Sequence, residues 1–249
     1  MKCRLLALLL LAPVLLPWPG RAQDLPLVAA LSQSEVEITT AFTGESLMVF
    51  GSTEAPIGPG GDEVIIVARG PTRPLVVRRK VQVLGFWVNG PYARFSQVPG
   101  YYAIAGTRPA WQLLPEEERQ RNELGLDALP LTSTGARAPQ FRAALLDLAR
   151  ERGLWLEDAA PVEIRGSRLF HMQLPLPAII ATGEYRVEVL LVRSRRIVAR
   201  EELRFRVERT GSADQIATVA QAQPLLYGVA CILLAALAGW LASILFRRG

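Results

Sequence analysis

The one histidine of the chain, His171, lies in an alternating run between Phe170 and Met172. A solitary histidine in such a setting reads as a structural strand residue, because no second ligand or base stands beside it to hold a metal or relay a proton. The remaining inventory is equally spare. No Cys/His cluster, no histidine pair around a glutamate at helical spacing, no Asp-rich calcium loop and no Gly-x-Ser-x-Gly elbow occurs, so the spacings that metal centres and activated serines need are missing. Glu116, Glu117 and Glu118 stand in a row, but successive helical positions diverge by about 100° and these carboxylates read as a solvated first turn. The glycine-rich loop Ser52–Asp62 has no helix pattern after it and is a turn-rich connection, not a phosphate cradle. No catalytic, metal-binding or cofactor-binding residue is assigned, no cofactor is expected, and the chain reads as non-enzymatic.

Two clusters are suited to binding. Arg78-Arg79-Lys80 interrupts an apolar run, and strand alternation puts Arg79 on the face of Val77 and Val81. An inward arginine pairs with a buried carboxylate, sits at a rim or receives an anionic ligand. Phe86, Trp87, Tyr92, Tyr101 and Tyr102 lie at or beside turns, where aromatic side chains serve core packing or a partner patch. Arg78, Arg79, Lys80, Trp87, Tyr101 and Tyr102 are therefore the candidate ligand or partner contacts.

The elements that must position these groups are mostly strands. Short β-branched runs punctuated by Gly, Pro and Ser are expected as strands at Leu27–Leu31, Val36–Phe42, Ser46–Phe50, Val64–Ala68, Leu75–Val88, Ala93–Val98 and Tyr101–Ala105. In the longest run Val77, Val81, Val83 and Trp87 fall on one face against Arg78, Lys80 and Gln82 on the other, one side core and one side wet. After Arg108 the period changes. Pro115 followed by Glu116–Glu118 opens a short helix, Asp127–Pro139 reads as a loop, and Phe141, Ala144, Leu145, Leu148 and Ala149 form the apolar stripe of a second helix stopped by Gly153. This helical insert, about 110–153, is expected to pack over an edge of a sandwich. Strands resume at Val162–Ile164, Leu169–Leu174, Glu184–Val192 and Ile197–Val207, with a turn at Ser194-Arg195. Tyr185, Val187, Val189 and Leu191 point inward against Arg186 and Glu188. Gly183-Glu184-Tyr185 resembles a tyrosine corner, with a lone buried tyrosine as the alternative. The expected fold is mainly β, an immunoglobulin-like or fibronectin-like β-sandwich with a helical insert over 23–209, plus one C-terminal transmembrane helix.

Both ends of the chain carry address information. Leu5–Leu16, preceded by Lys2 and Arg4 and followed by Gly20-Arg21-Ala22, has the parts of a cleavable signal peptide, residues 1–22. Leu225–Phe246 is an apolar run without a charged side chain, long enough to cross a bilayer. It follows a juxtamembrane tether at 210–224 and precedes a tail at 247–249 whose Arg247 and Arg248 place the C-terminus in the cytoplasm and the domain in the periplasm. The chain carries 28 basic and 23 acidic residues, net +5. Without Lys2, Arg4 and Arg21 it has 25 against 23, and without Arg247 and Arg248 it has 23 against 23. The excess is a topology signal, which argues against nucleic-acid binding. Cys3 and Cys231 fall in the leader and the span, so the exported domain folds without disulfides. Within the span Ala235, Gly239 and Ser243 share a face at four-residue spacing and suit close approach of another helix, from a second copy or from an inner-membrane protein.

The segments ALSQSEVEITTAFTGESLMVFG (Ala30–Gly51), VARGP, VVRRK and GFWVN within Val67–Asn89, YYAIAGTRP (Tyr101–Pro109), Gly166–Phe170, LPLPA and TGEYRVEVLLVR within Leu174–Arg193, and QPLLYG (Gln223–Gly228) together resemble the alphaproteobacterial putative transmembrane protein family. The resemblance covers nearly the whole mature chain. It implies a bacterial inner-membrane protein with a periplasmic domain, and it implies no activity and no functional residues. The expected function is a membrane-anchored periplasmic adaptor or accessory subunit of an inner-membrane protein or transporter. The alternatives are a sensor or carrier of a small anion and a sorting-protease substrate released from its C-terminal helix.

Overall fold

A computed structural model describes residues 26–39, 42–135, 139–210 and 224–246. The expected leader 1–22, most of the tether and the tail 247–249 lie outside the described residues. In chain order the elements are β1 Leu27–Leu31, β2 Glu35–Ile38, β3 Gly44–Thr53, β4 Glu63–Arg69, β5 Thr72–Val83, β6 Phe86–Pro99, β7 Tyr102–Gly106, α1 Ala110–Leu113, α2 Glu116–Arg121, β8 Ser133–Gly135, α3 Pro139–Glu151, β9 Trp155–Glu157, β10 Glu163–Arg165, β11 Leu169–Pro177, β12 Gly183–Arg193, β13 Arg196–Arg209 and α4 Pro224–Phe246. The chain is mainly β, as its β-branched runs require.

Three sheets form. A four-stranded sheet has the order β1-β3-β11-β10, a six-stranded sheet the order β2-β13-β12-β4-β7-β9, and a three-stranded sheet the order β5-β6-β8. Alternation in β12 and β13 sends Tyr185, Val187, Val189, Leu191, Phe205 and Val207 to one side. There they meet Leu47, Val49, Phe170, Met172 and Leu174 of the four-stranded sheet in one apolar core. Tyr101 spans this core and donates its hydroxyl to the Pro175 carbonyl at 2.6 Å. Tyr185 stacks on Phe205 with ring centroids 4.9 Å apart and donates to the Ala181 carbonyl four residues upstream, at 2.5 Å. This is the corner bond that its position after Gly183 suggests. Burial pushes the phenols of Tyr101 and Tyr185 well above their ordinary value, so both hydroxyls keep their protons and remain donors.

Over β12, β4 and β7 the six-stranded sheet is buried on its other face too. Ile65, Val67, Tyr102, Ile104, Leu190 and Val192 lie under Phe95, Val98, Leu113, Leu124, Phe141, Leu145 and Trp155 in a second core. The insert therefore covers a face, not the edge expected for it. The physical reason is legible in Val64–Ala68, where Val64, Ile65, Ile66, Val67 and Ala68 are all buried, because a strand sandwiched between two layers needs apolar residues at every position. On α3, Phe141, Leu145 and Ala149 are buried while Leu148 is 45% exposed, so the stripe is narrower than its pattern. Its end is a Schellman turn: Gly153 has φ +64°, its N–H bonds the Arg150 carbonyl, and the Leu154 N–H bonds that of Ala149.

Several boundaries differ from expectation. The run Leu75–Val88 is not one strand: β5 ends at Val83 and β6 begins at Phe86, with Leu84 and Gly85 both at positive φ, 51° and 85°. Two such residues make the tight hairpin turn whose twist matches that of paired strands. The chain reversal pairs Trp87 with Gln82, and Val81 with Val88 and Val83 with Phe86, so Trp87 lies on the opposite face from Val81 and Val83. Three-residue strands β8 and β9 were not anticipated; β8 lies in the expected loop Asp127–Pro139, and β9 pairs parallel to β7. Strand β2 ends at Ile38, short of Phe42.

Candidate partner-binding hairpin

The buried charges of the domain are paired within it. Asp62, 2% exposed, accepts two bonds from the Arg193 guanidinium, at 2.7 and 2.8 Å. Glu63 is held by the Arg108 guanidinium, Nε at 2.9 Å, and by the Thr107 hydroxyl. Arg69 bonds Glu188 at 2.8 Å and the carbonyls of Asn122 and Glu123, which fastens the insert to the six-stranded sheet. Tyr102 acts on the same segment: its hydroxyl donates to the Glu123 carbonyl at 3.0 Å and accepts from the Gly125 N–H at 2.8 Å, while burial pushes its phenol up to about 12. His171 lies 3.3 Å from Glu163, its partner across the β10–β11 pair, which is a structural cross-strand contact. Among the described residues no group of three or more His, Cys, Asp or Glu side chains is placed to hold a metal ion.

A cleft of about 140 Å³ opens beside Gly106, Trp111, Arg119 and Glu157. Its Arg119 and Glu157 are already engaged. Arg119 bonds Asp127 at 3.0 Å, and Glu157 accepts from the Leu126 N–H at 3.0 Å and from Arg150 at 3.1 Å.

What stands apart is the β5–β6 hairpin. At its base Leu75, Val77, Ala93, Phe95 and Val98 join the second core. From Arg78 to Tyr92 no residue is buried. The six residue steps along β5 from the Val77–Ala93 pair to the Val83–Phe86 pair carry the tip about 20 Å from the core at about 3.3 Å per residue. At that tip Leu84 is 93% exposed, Phe86 75% and Trp87 67%. Val83 and Val88 are exposed beside them. Below the tip Arg78 stacks over the Tyr92 ring at 5.3 Å, and the register shifts between Arg78 and Lys80. The hairpin Thr72–Pro99 contains five basic residues, Arg73, Arg78, Arg79, Lys80 and Arg94, and no acidic one, leaving 18 basic against 23 acidic over the rest of 23–246.

The structure brings four of the six expected contacts onto this hairpin and removes two. Arg78, Arg79, Lys80 and Trp87 are exposed on it. Arg79 does not point inward, because the bulge at that position breaks the alternation that put it beside Val77. Tyr101, just before β7, and Tyr102, its first residue, are fully buried and join opposite cores; they are packing residues, not partner contacts. Sequence reasoning passed over Leu84, Arg73 and Arg94. The signal for Leu84 was its place before a glycine in the middle of an apolar run, and the signal for the arginines was the absence of Asp and Glu over Thr72–Pro99.

On α4, Ala235 and Gly239 are exposed, whereas the side chain of Ser243 lies outside the described residues. Among the described residues no helix is long and apolar enough to cross a membrane. In α4 the longest continuous run of described side chains is 231–240, too short by itself for a bilayer.

A family model described as "Putative transmembrane protein (Alph_Pro_TM)" matches residues 26–248. No curated protein matches the sequence.

Proposed function

Because the chain belongs to the alphaproteobacterial putative transmembrane protein family, we propose that it is a single-pass inner-membrane protein whose periplasmic domain serves as a non-enzymatic accessory subunit or adaptor for another membrane protein. The 23 residues of α4 measure about 34 Å at 1.5 Å per residue, against about 30 Å of hydrocarbon. Leu225–Phe246 carries no charged side chain and Arg247-Arg248 follows it, which favours a cytoplasmic C-terminus. The Tyr185 corner bond and the core shared by two sheets support an immunoglobulin-like sandwich for the domain.

The observation that carries the adaptor reading is the contrast between paired and unpaired groups. The buried carboxylates are neutralised internally, while the apolar and cationic groups of the β5–β6 hairpin face solvent. A surface of that kind marks a docking element. In this reading the hairpin seats the domain, and the face of α4 bearing Ala235, Gly239 and Ser243 is the contact packed against a partner helix.

Crosslinking in native membranes followed by purification in mild detergent tests the proposal. The full-length chain is expected to come down with an inner-membrane protein, and Gly239→Leu is expected to reduce that recovery several-fold by obstructing close helix approach. Recovery of the chain alone, with Gly239→Leu indistinguishable from the parent, would contradict it.

A further inference from the structure

We propose that the tip of the β5–β6 hairpin inserts into the anionic lipid surface of the membrane that holds α4, with Arg79 and Lys80 on the phosphates. The inference rests on the membrane attachment proposed above and names the occupant of the same hairpin. A site for a folded partner is normally one face of a ribbon, whereas this tip is apolar on both: Val81, Val83, Phe86 and Val88 lie on one side and Trp87 on the other, with Leu84 at the apex. Lipid meets a projection from all sides. Lys80 and Arg78 lie four and six residues behind Leu84, about 13 and 20 Å along the strand. A tip sunk about 5–10 Å into the headgroup region leaves the Lys80 backbone about 3–8 Å above that depth, within reach of its side chain to the phosphates, with Arg78 farther out, and puts Trp87 in the interface that indoles prefer.

Charge and backbone strain point the same way. The hairpin holds five cations and no carboxylate in a domain that is otherwise net acidic. That arrangement attracts the hairpin, and not the rest of the domain, to an anionic surface. Leu84 occupies the left-handed region at φ 51°, where Asn or Gly is preferred and an exposed leucine gains no packing in return. The comparable turn between β12 and β13 has Ser194 and Arg195 at φ 51° and 63°, both polar. An apolar residue at a strained, 93% exposed position is expected where function opposes local preference. Residues 210–223 can bridge at most about 50 Å whatever their path, so the domain stays close to the bilayer that anchors it.

The test uses the full-length chain with Cys3→Ser, Cys231→Ser and Val83→Cys, labelled at position 83 with an environment-sensitive fluorophore. It is reconstituted into vesicles of phosphatidylglycerol or phosphatidylcholine containing brominated acyl chains as quenchers. The label is expected to be quenched in phosphatidylglycerol. Arg79→Glu with Lys80→Glu should lower its bound-to-free ratio by about 30-fold or more, the factor expected for two interfacial cations. Leu84→Asn should lower it too while leaving thermal stability equal or higher, since Asn-Gly suits the turn better, which separates a lipid contact from a folding defect. A wet, unquenched label on a chain that still resists alkaline carbonate would overturn the hairpin proposal and leave the anchor standing. A chain that washes off would overturn the anchor and, with it, this inference. Shielding that appears only at high protein-to-lipid ratio, or only when native membrane proteins are added, would assign the tip to a second copy or to a protein partner and overturn the lipid assignment.

Discussion

A chain ended after Gly211 is expected to leave the membrane fraction and to accumulate as a folded periplasmic domain. Leu225–Phe246 contains eleven Leu, Ile, Val and Phe residues. At about 0.3–0.6 kcal/mol each they favour insertion by about 3–7 kcal/mol, on the order of 10² to 10⁵ in partition. The fold should survive the truncation, because both apolar cores are built from residues between Leu27 and Val207. Any residual retention through the hairpin should lose its electrostatic part near 1 M salt, where the screening length is about 3 Å, leaving only the weaker apolar contact of the tip. Fractionation with immunoblotting reads the outcome. A truncated domain that stays on membranes through alkaline carbonate as fully as the full-length chain would remove α4 from its proposed role.

The second large effect is expected at Arg69. Its guanidinium is 17% exposed, pairs with Glu188 at 11%, and ties the carbonyls of Asn122 and Glu123 to the sheet. Its Nε has no hydrogen-bond partner among the described residues, so the site is already imperfectly satisfied. Arg69→Leu leaves the Glu188 carboxylate in the interior with only Arg200 nearby, at 3.9 Å. Breaking a buried pair from one side costs about 3–5 kcal/mol, which for a domain of this size lowers Tm by about 6–20 °C. Replacing both partners, Arg69→Leu with Glu188→Leu, should recover much of that loss, since the uncompensated charge is gone. Thermal unfolding of the fragment ending at Gly211 measures both. A single variant within about 2 °C of the parent, less than 1 kcal/mol at this size, or a double variant no better than the single, would show that the pair does not carry the insert.

These two predictions differ in how far the sequence alone could reach. The apolar run Leu225–Phe246 is contiguous, so its reading needs no fold. The strands β12 and β13 are legible for a related reason: side-chain alternation is local, and Tyr185, Val187, Val189 and Leu191 are all buried as the pattern requires. Arg69 and Glu188 are 119 positions apart, and nothing near either residue announces the other. The second core was missed because the insert was given an edge to cover, although the unbroken Val64–Ala68 run requires apolar cover on both faces. The hairpin was read as one strand because Leu84, an apolar β5–β6 turn residue, conceals the chain reversal that Asn or Asp would have revealed. That concealment displaced Trp87 to the wrong face. The bulge beside Arg79 is likewise set by register with β6, so no reading of β5 alone could place that guanidinium in solvent. Of the expected binding residues, the exposed ones share a segment without acids. The two tyrosines belong instead to the start of β7 and the residue before it, where both sides are buried.

The central claim is that α4 crosses the inner membrane with the β domain outside and the C-terminus within. It is tested most directly by adding protease to spheroplasts that produce the full-length chain with an epitope after Gly249. The account predicts that the β domain is digested while the inner membrane is intact, leaving a small membrane-embedded fragment whose epitope is lost only after detergent. A full-length band that survives until detergent is added would contradict it.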